Sequence, residues 1–248
     1  MILIAGPCVI ESREHCLFMA HAIKRITDKF PLDEVYFKAS YDKANRTSLH
    51  NFRGPGIEYG LDILKEVNEQ TGLAVTSDVH SAHEAYLACS VLDLVQIPAL
   101  LSRQTDLLVA AGRSAMAVNV KKGQFMAPLD MVHAVDKLKE SGCSRIYVTE
   151  RGSCFGYNRL VVDMASFYMM KKAMPAVKTI FDATHSSQFP GAGYGCSAGN
   201  REFVPVLAKA AIAAGADGVF LEVHDDPDNA LCDGPNSVRL DNLSLIHI

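Results

Sequence analysis

Met1-Ile2-Leu3-Ile4-Ala5-Gly6-Pro7-Cys8 opens the chain, and the reading of this stretch decides the fold. It is apolar, yet it lacks a basic leader and an apolar run long enough for a secretory signal. It reads as a short buried strand over Ile2–Ala5, stopped by Gly-Pro. Seven similar runs follow at Val35–Ala39, Leu73–Thr76, Leu94–Ile97, Met116–Val120, Arg145–Thr149, Lys178–Phe181 and Gly218–Glu222. Helical periodicity fills the gaps. Ile57, Leu61, Leu64 and Val67 share one face, Lys65, Glu66 and Glu69 turn outward, and Gly72 suits the stop. A later helix is expected from Asn200 as N-cap, with Phe203, Leu207 and Ala210 on its inner side. Strand alternating with helix, at about thirty residues per unit, implies a parallel sheet. Eight units favour a closed (β/α)₈ TIM barrel. An open doubly wound sheet is second, because no GxGxxG follows the first strand.

The length of 248 residues fits one such barrel. No Pro-, Ser- or charge-rich linker divides it, so residues 1–242 are expected to form one catalytic domain. An eighth helix is expected to be missing. The end, Leu243-Ser244-Leu245-Ile246-His247-Ile248, matches the translation of a common sequencing adapter and is read as a non-native tail over 243–248. A net charge of −4 gives no sign of nucleic-acid binding. No run of about 18 apolar residues is present to span a membrane. Seven scattered cysteines without a CxxC pair suit reduced thiols in a cytoplasmic protein and exclude a thiolate zinc knuckle.

In a barrel the eighth strand pairs with the first, and chemistry sits on the loops after the strands. Cys8 follows the first strand, His185 the seventh, Glu222 ends the eighth, and Asp233 lies in the loop beyond it. These four converge on one sector of one rim and suit a divalent metal: zinc or ferrous iron, with manganese as a third option. His80, His83 and His224 compete as ligands; His83 reads as solvated and His224 as a supporting residue. Lys38, Lys43, Lys121, Arg46 and Arg151 make a cationic mouth suited to phosphates and carboxylates. Asp78 reads as a counter-charge or hydroxyl acceptor. The glycine-rich segment 189–199 reads as a lid that excludes water.

At these residues the chain resembles the 3-deoxy-D-manno-octulosonate 8-phosphate synthases. The matching stretches are AGPCVIES at 5–12, FKASYDKANRTSLHNFRGPG at 37–56, SDVH at 77–80, QIPALLSRQTDL at 96–107, NVKKGQF at 119–125, TERGSCFGYNRLVVDM at 149–164, DATHSSQFPG at 182–191, DGVFLEVHDDP at 217–227 and CDGP at 232–235. The resemblance implies a barrel enzyme, assembled as a homotetramer. It would condense phosphoenolpyruvate with D-arabinose 5-phosphate for lipopolysaccharide synthesis. It implies Lys43, Lys121, Arg151 and Gln96 around phosphoenolpyruvate, with Lys38 nearby; Lys43, Lys121 and Asp78 are expected to be the catalytic residues. It implies Asn45, Arg46 and Thr47 on arabinose 5-phosphate, and Cys8, His185, Glu222 and Asp233 as ligands of a metal-dependent branch. Thr47 stands where many members carry Ser, and CDGPNSVRL at 232–240 departs from both branches at its end. The rival is the sister 3-deoxy-D-arabino-heptulosonate 7-phosphate synthase, which uses erythrose 4-phosphate. It reads Lys-Pro-Arg where this chain has Lys43-Ala44-Asn45-Arg46. A barrel that binds sugar phosphates without catalysis is the alternative from another class.

Overall fold

A computed structural model describes residues 1–193 and 196–245. Eight parallel strands close into a barrel: β1 (Ile2–Gly6), β2 (Glu34–Lys38), β3 (Ala74–Asp78), β4 (Leu94–Ile97), β5 (Ala117–Lys121), β6 (Arg145–Glu150), β7 (Lys178–Asp182) and β8 (Gly218–His224). Closure is made by β1 against β8, from Ile2 opposite Gly218 to Gly6 opposite Glu222. The strands follow the sequence reading closely, but β1, β3, β5, β6, β7 and β8 each run one or two residues further. Asp78, Lys121, Glu150 and Asp182 are therefore strand residues, and the sheet fixes their direction.

Seven helices accompany the strands among the described residues: α1 (Arg13–Thr27), α2 (Ile57–Thr71), α3 (Ala82–Ala88), α4 (Thr105–Ser114), α5 (Met131–Glu140), α6 (Ala165–Ala173) and α7 (Phe203–Ala213). None is long and apolar enough to cross a membrane. Side chains at alternate strand positions face opposite sides of the sheet. One set, including Phe37, Val75, Val95, Val118, Val148, Phe181, Val219 and Leu221, packs with the helices in the main core. The other set fills the barrel. Its lower part is apolar and aromatic: Ile2, Ile4, Tyr36, Leu94, Ala117, Tyr147, Ile180 and Phe220. The next inward positions are buried and polar: Lys38, Thr76, Asp78, Gln96, Asn119, Lys121, Thr149, Asp182 and Glu222. The interior thus changes from oil to charge along its length.

Helix α2 buries Leu61, Leu64 and Val67, and Gly72 closes it at φ 70°. The last helix differs from expectation. It starts at Phe203, with Glu202 preceding it, and buries Val204, Ala208 and Ala211. Asn200 accepts from the Glu202 N–H at 2.9 Å, which makes a turn before the helix instead of a cap. Phe203 is rotated out of the core and meets Phe189 edge-on at 6.5 Å. The glycine-rich segment is an antiparallel hairpin, with Gln188–Gly193 paired to Cys196–Gly199; its tip at 194–195 lies outside the described residues. A second small hairpin, Ser153–Cys154 with Leu160–Val161, stands on the loop after β6. After β8 the chain runs through a 3₁₀ segment, Leu240–Leu245, whose Leu240 and Leu243 are buried in the main core. Of the expected tail, residues 246–248 lie outside the described residues.

Gly60 tests how tightly the upper wall is packed. A Cβ there would lie 2.3 Å from Tyr41 Cβ. Alanine in a helix gains about 1 kcal/mol over glycine, but such overpacking costs about 1–3 kcal/mol. Gly60→Ala is therefore expected to lower the urea midpoint. A raised midpoint would show that α2 and Tyr41 can separate freely.

Candidate functional site

The polar layer is wired by hydrogen bonds. The Thr149 hydroxyl donates to Asn119 Oδ1 at 2.7 Å. Asn119 Nδ2 donates to Gln96 Oε1 at 2.9 Å, and Gln96 Nε2 to Asp78 Oδ1 at 2.7 Å. Ser40 closes the chain on Asp78 Oδ2 at 2.7 Å. Burial pushes the Asp78 carboxyl up, but Lys38, Lys43 and Lys121 outweigh it and hold the group far below its usual range. Both Asp78 oxygens are engaged, and the surrounding lysines favour its charged form.

Two buried ion pairs cross the same layer. Lys38 Nζ donates to Glu222 Oε1 at 3.1 Å and to the Cys8 carbonyl at 2.8 Å. Lys121 Nζ donates to Asp182 Oδ2 at 2.6 Å and lies 3.6 Å from the centre of the Phe220 ring. Burial lowers the Lys121 pKa despite Asp182 and Asp78. Lys43 Nζ lies 3.5 Å from the Cys8 carbonyl. Burial pulls the Lys43 ammonium down, but Cys8, Cys232, Glu222 and Asp78 together raise it well above its usual value.

Glu150 folds back on its own loop, where its Oε1 accepts from the N–H groups of Arg151 at 2.9 Å and Gly152 at 2.6 Å. Gly152 supplies the required φ of 91°. Arg151 is thereby aimed inward. Its Nη2 donates to Gln188 Oε1 at 3.0 Å, and Gln188 Nε2 donates to Asp233 Oδ2 at 3.0 Å. Arg151 Nη1 is buried with no partner among the described residues. A buried donor of this kind is available to an incoming acceptor.

The acidic sector lies beside these cations. His185 Nδ1 is 2.7 Å from Asp182 Oδ2, and its backbone N–H donates to Asp182 Oδ1 at 2.8 Å. Its Nε2 lies 3.4 Å from both Glu222 Oε1 and Asp233 Oδ2. Cys8 Sγ lies 3.8 Å from Asp233 Oδ2. Two overlapping trios, His185–Glu222–Asp233 and Cys8–Cys232–Asp233, share Asp233, and each could hold a metal ion. Donors at 2.0–2.3 Å around a tetrahedral zinc lie about 3.3–3.8 Å apart, so these separations fit an ion. Glu222 Oε2 is buried and unpartnered among the described residues, a second sign of a missing positive partner. Asp233 holds φ 48°, an uncommon left-handed conformation for a non-glycine residue. Burial raises the Cys8 thiol well above its usual pKa, and neighbouring Cys232 adds to it. For His185, burial works downward, but Asp182 and Glu222 outweigh it and raise the pKa.

Other residues singled out from the sequence lie differently. Asn45 and Thr47 are exposed at the mouth. Arg46 is held by backbone, with Nε donating to Phe52 O at 2.8 Å and Nη2 to Leu231 O at 3.0 Å. His83 is exposed. His80 Nδ1 pairs with Glu84 Oε2 at 2.9 Å, and Tyr41 Oη donates to the same oxygen at 2.7 Å. Lys122, a strand-end lysine, is fully buried and donates to the carbonyls of Met126 at 3.2 Å and Gly123 at 3.3 Å, so it belongs to the scaffold. Sequence reasoning left out Asp182, Gln188, Ser40 and Cys232. Asp182 was the most accessible of these: a carboxylate three residues before a candidate ligand histidine is a usual orienting partner. Gln188 and Cys232 carry no such signal, because tertiary folding alone brings them in.

The chain belongs to the DAHP synthetase I family, whose sequence model matches residues 1–247. It is 56% identical over 246 residues to a 2-dehydro-3-deoxyphosphooctonate aldolase of Desulfatibacillum aliphaticivorans, covering 99% of this chain and 89% of that protein. It is 55% identical over 246 residues to the protein of the same name from Geobacter metallireducens, with 99% and 89% covered. The corresponding protein of Geobacter sulfurreducens is 54% identical over 243 residues, with 98% and 88% covered.

Two stability tests follow from this wiring. Removing one member of a buried ion pair costs about 3–5 kcal/mol, whereas replacing both by apolar groups is often neutral. In chelator, Lys38→Met is expected to lose stability of that order, and Lys38→Met with Glu222→Leu to recover most of it. A double variant as unstable as the single would refute the pairing. The second test concerns acid. Burial pushes Glu84 up, but hydrogen bonds from His80 and Tyr41 hold it at about 2, below its ordinary 4.5. A depressed carboxyl stabilises the fold above its unfolded pKa, and this is lost as pH falls through the folded one. Glu84→Gln should therefore flatten the decline of the urea midpoint between about pH 4.5 and 2. Equal slopes would refute the assignment.

Proposed function

We propose that this chain is a 3-deoxy-8-phosphooctulonate synthase, an enzyme joining phosphoenolpyruvate and D-arabinose 5-phosphate with uptake of water and release of phosphate. The observation that carries the reading is the pairing of buried cations with an acidic His185–Glu222–Asp233 group at one barrel end, in a chain so similar to relatives bearing that name. Phosphoenolpyruvate carries a carboxylate and a phosphate. Lys38, Lys43, Lys121 and Arg151 give it fixed positive partners, and the free Arg151 Nη1 suits one of its oxygens. Asn45, Arg46 and Thr47 line the mouth where the sugar phosphate enters, and Gln96 orients within the hydrogen-bonded row.

In the reaction, C3 of phosphoenolpyruvate bonds to the aldehyde carbon, whose oxygen becomes a hydroxyl. Water adds at C2, and the C2–O bond to phosphate breaks, so phosphate carries away that oxygen. Holding two anions face to face over the Phe220 floor is the protein's main contribution. Cys8, His185, Glu222 and Asp233 would hold a divalent ion, zinc or iron in preference to manganese by donor softness. Such an ion, when bound, supplies positive charge that orients an aldehyde or hydroxyl oxygen. Asp182 fixes the His185 ring for that role.

We also read the protein as a cytoplasmic homotetramer. Free Cys8, Cys16, Cys89, Cys143, Cys154 and Cys232 support a reducing compartment. Exposed Leu49, Phe155 and Tyr157 on the rim loops support burial against another copy.

Phosphate release should be fast with arabinose 5-phosphate and at least tenfold slower with erythrose 4-phosphate at equal concentration; the reverse order would assign the chain to the sister reaction. Chelator should suppress the activity, and Cys8→Asn should retain measurable turnover while losing much of that sensitivity. A Cys8→Asn protein that is folded yet active only with added metal would refute orientation as the ion's role.

A further inference from the structure

Where the end of β8 meets the start of α1, a second set of metal-type side chains lies apart from the proposed catalytic group. One donor atom each from Glu11, His15 and His224 lies within 4.8 Å of the other two. His15 is placed by the first turn of α1, where its N–H donates to the Ser12 side chain at 3.1 Å. His224 is the last residue of β8, and the two rings meet at 4.6 Å. Glu11 is anchored from the loop, accepting from the Leu231 N–H at 2.8 Å.

The supporting groups match those of a metal site. Asp225 Oδ1 takes His15 Nε2 at 3.0 Å, which leaves Nδ1 as the nitrogen with a free lone pair. That Nδ1 is buried and has no partner among the described residues. His224 Nδ1 accepts from the Asp226 N–H at 3.0 Å with Asp225 Oδ1 3.2 Å away, and its Nε2 faces Glu11 Oε1 at 3.2 Å. A carboxylate behind a histidine is the usual outer support of a zinc ligand. A set of two histidines and one glutamate is an established zinc donor set that leaves a fourth position for water. A plain ion-pair cluster accounts for every contact except the unpartnered nitrogen of His15.

We propose that Glu11, His15 and His224 form a second site for a divalent cation of the zinc class. The cation takes the place between His224 Nε2 and Glu11 Oε1 and uses the free His15 nitrogen, while the His224 ring proton moves to Nδ1, where Asp225 Oδ1 accepts it in place of the Asp226 N–H donation. Because Glu11 also holds Leu231, two residues before Asp233, the ion clamps the 225–233 segment to α1.

The test is metal stoichiometry on the full chain. Protein stripped with chelator is equilibrated with Zn(II), and bound zinc per chain is read by atomic emission. The expected result is two equivalents for the native sequence, and one for His15→Ala and for Glu11→Gln. Cys8→Ser with His185→Ala should also hold one, so the two sites fail separately. With Co(II), His15→Ala should lose part of the visible absorption but keep the thiolate charge-transfer band of Cys8. A native chain that binds one equivalent, or variants that bind as much as the native chain, would overturn the proposal. Should His15→Ala fail to fold, Glu11→Gln decides alone, since its amide oxygen still accepts from Leu231.

Discussion

The structure depends on burying charge at one end of a closed barrel without leaving any of it alone. Lys38, Asp182 and Glu222 are among the least accessible side chains in the protein. An isolated ion so placed would cost several kcal/mol, and a pair repays this only with good geometry and further hydrogen bonds. Here Lys38 and Asp182 have both, while Glu222 has the pair and one oxygen without a partner among the described residues. Lys38 joins Glu222 and a carbonyl, while Asp182 takes a lysine, a histidine ring and a backbone N–H. Barrel closure sets the pairing, because register puts Glu222 opposite Gly6 at the end of β1. Gly6 is required there: a Cβ would lie 2.0 Å from the Lys38 carbonyl oxygen. One small residue therefore lets β1 and β2 approach closely enough for Lys38 to reach across.

The other end of the barrel solves the opposite problem. Tyr36 and Tyr147 cross edge-on at 6.2 Å and both donate to Glu34 Oε2 at 2.7 Å. Arg145 Nη2 lies 3.0 Å from both hydroxyls. This plug ends the interior in a satisfied polar cap. Above it the apolar layer rises to Phe220, which meets Lys121 face-on and His185 at 5.7 Å. An aromatic floor lets a lysine be dry and still favourably placed, because the ring face is negative. The same floor keeps the charged layer from sinking into the barrel.

Much of this was legible in the sequence, for a definite reason. Eight apolar runs with charged ends report strand position directly, since only a barrel interior needs oil at one end and charge at the other. Lys38, Asp78, Gln96, Lys121 and Glu222 stand at inward positions near strand ends, where period-two reading finds them. Reading was weaker where the neighbour decides. The fully buried positions of α7 are Val204, Ala208 and Ala211, with Leu207 half-buried against the core and Phe203 outside it. Phe203 meets Phe189 of the hairpin instead of the core. The segment at 189–199 reads in sequence as a lid and not as a strand pair, because its glycines hide the ladder. Cys232 and Gln188 were invisible as site residues, since each reaches the site through a loop whose path the sequence does not encode locally.

The balance of charge at the mouth limits what the site can do. Lys38 and Lys121 are already matched by Glu222 and Asp182 before any ligand arrives, whereas Lys43 and Arg151 meet a carbonyl and an amide. An anion entering this site meets two ammonium groups, Lys38 and Lys121, that have carboxylate partners. It must either draw them away, which leaves buried carboxylates bare, or find those carboxylates neutralised by other means. His185 does part of this, since its neighbours raise its pKa and favour its charged form. A divalent ion on His185, Glu222 and Asp233 would do more, because it would satisfy the free Glu222 oxygen and release Lys38 toward a ligand. The unpartnered Arg151 nitrogen and the unpartnered Glu222 oxygen are the two loose ends of this arrangement. One calls for an anion and the other for a cation, so the two are expected to bind with positive coupling, each relieving the charge that opposes the other.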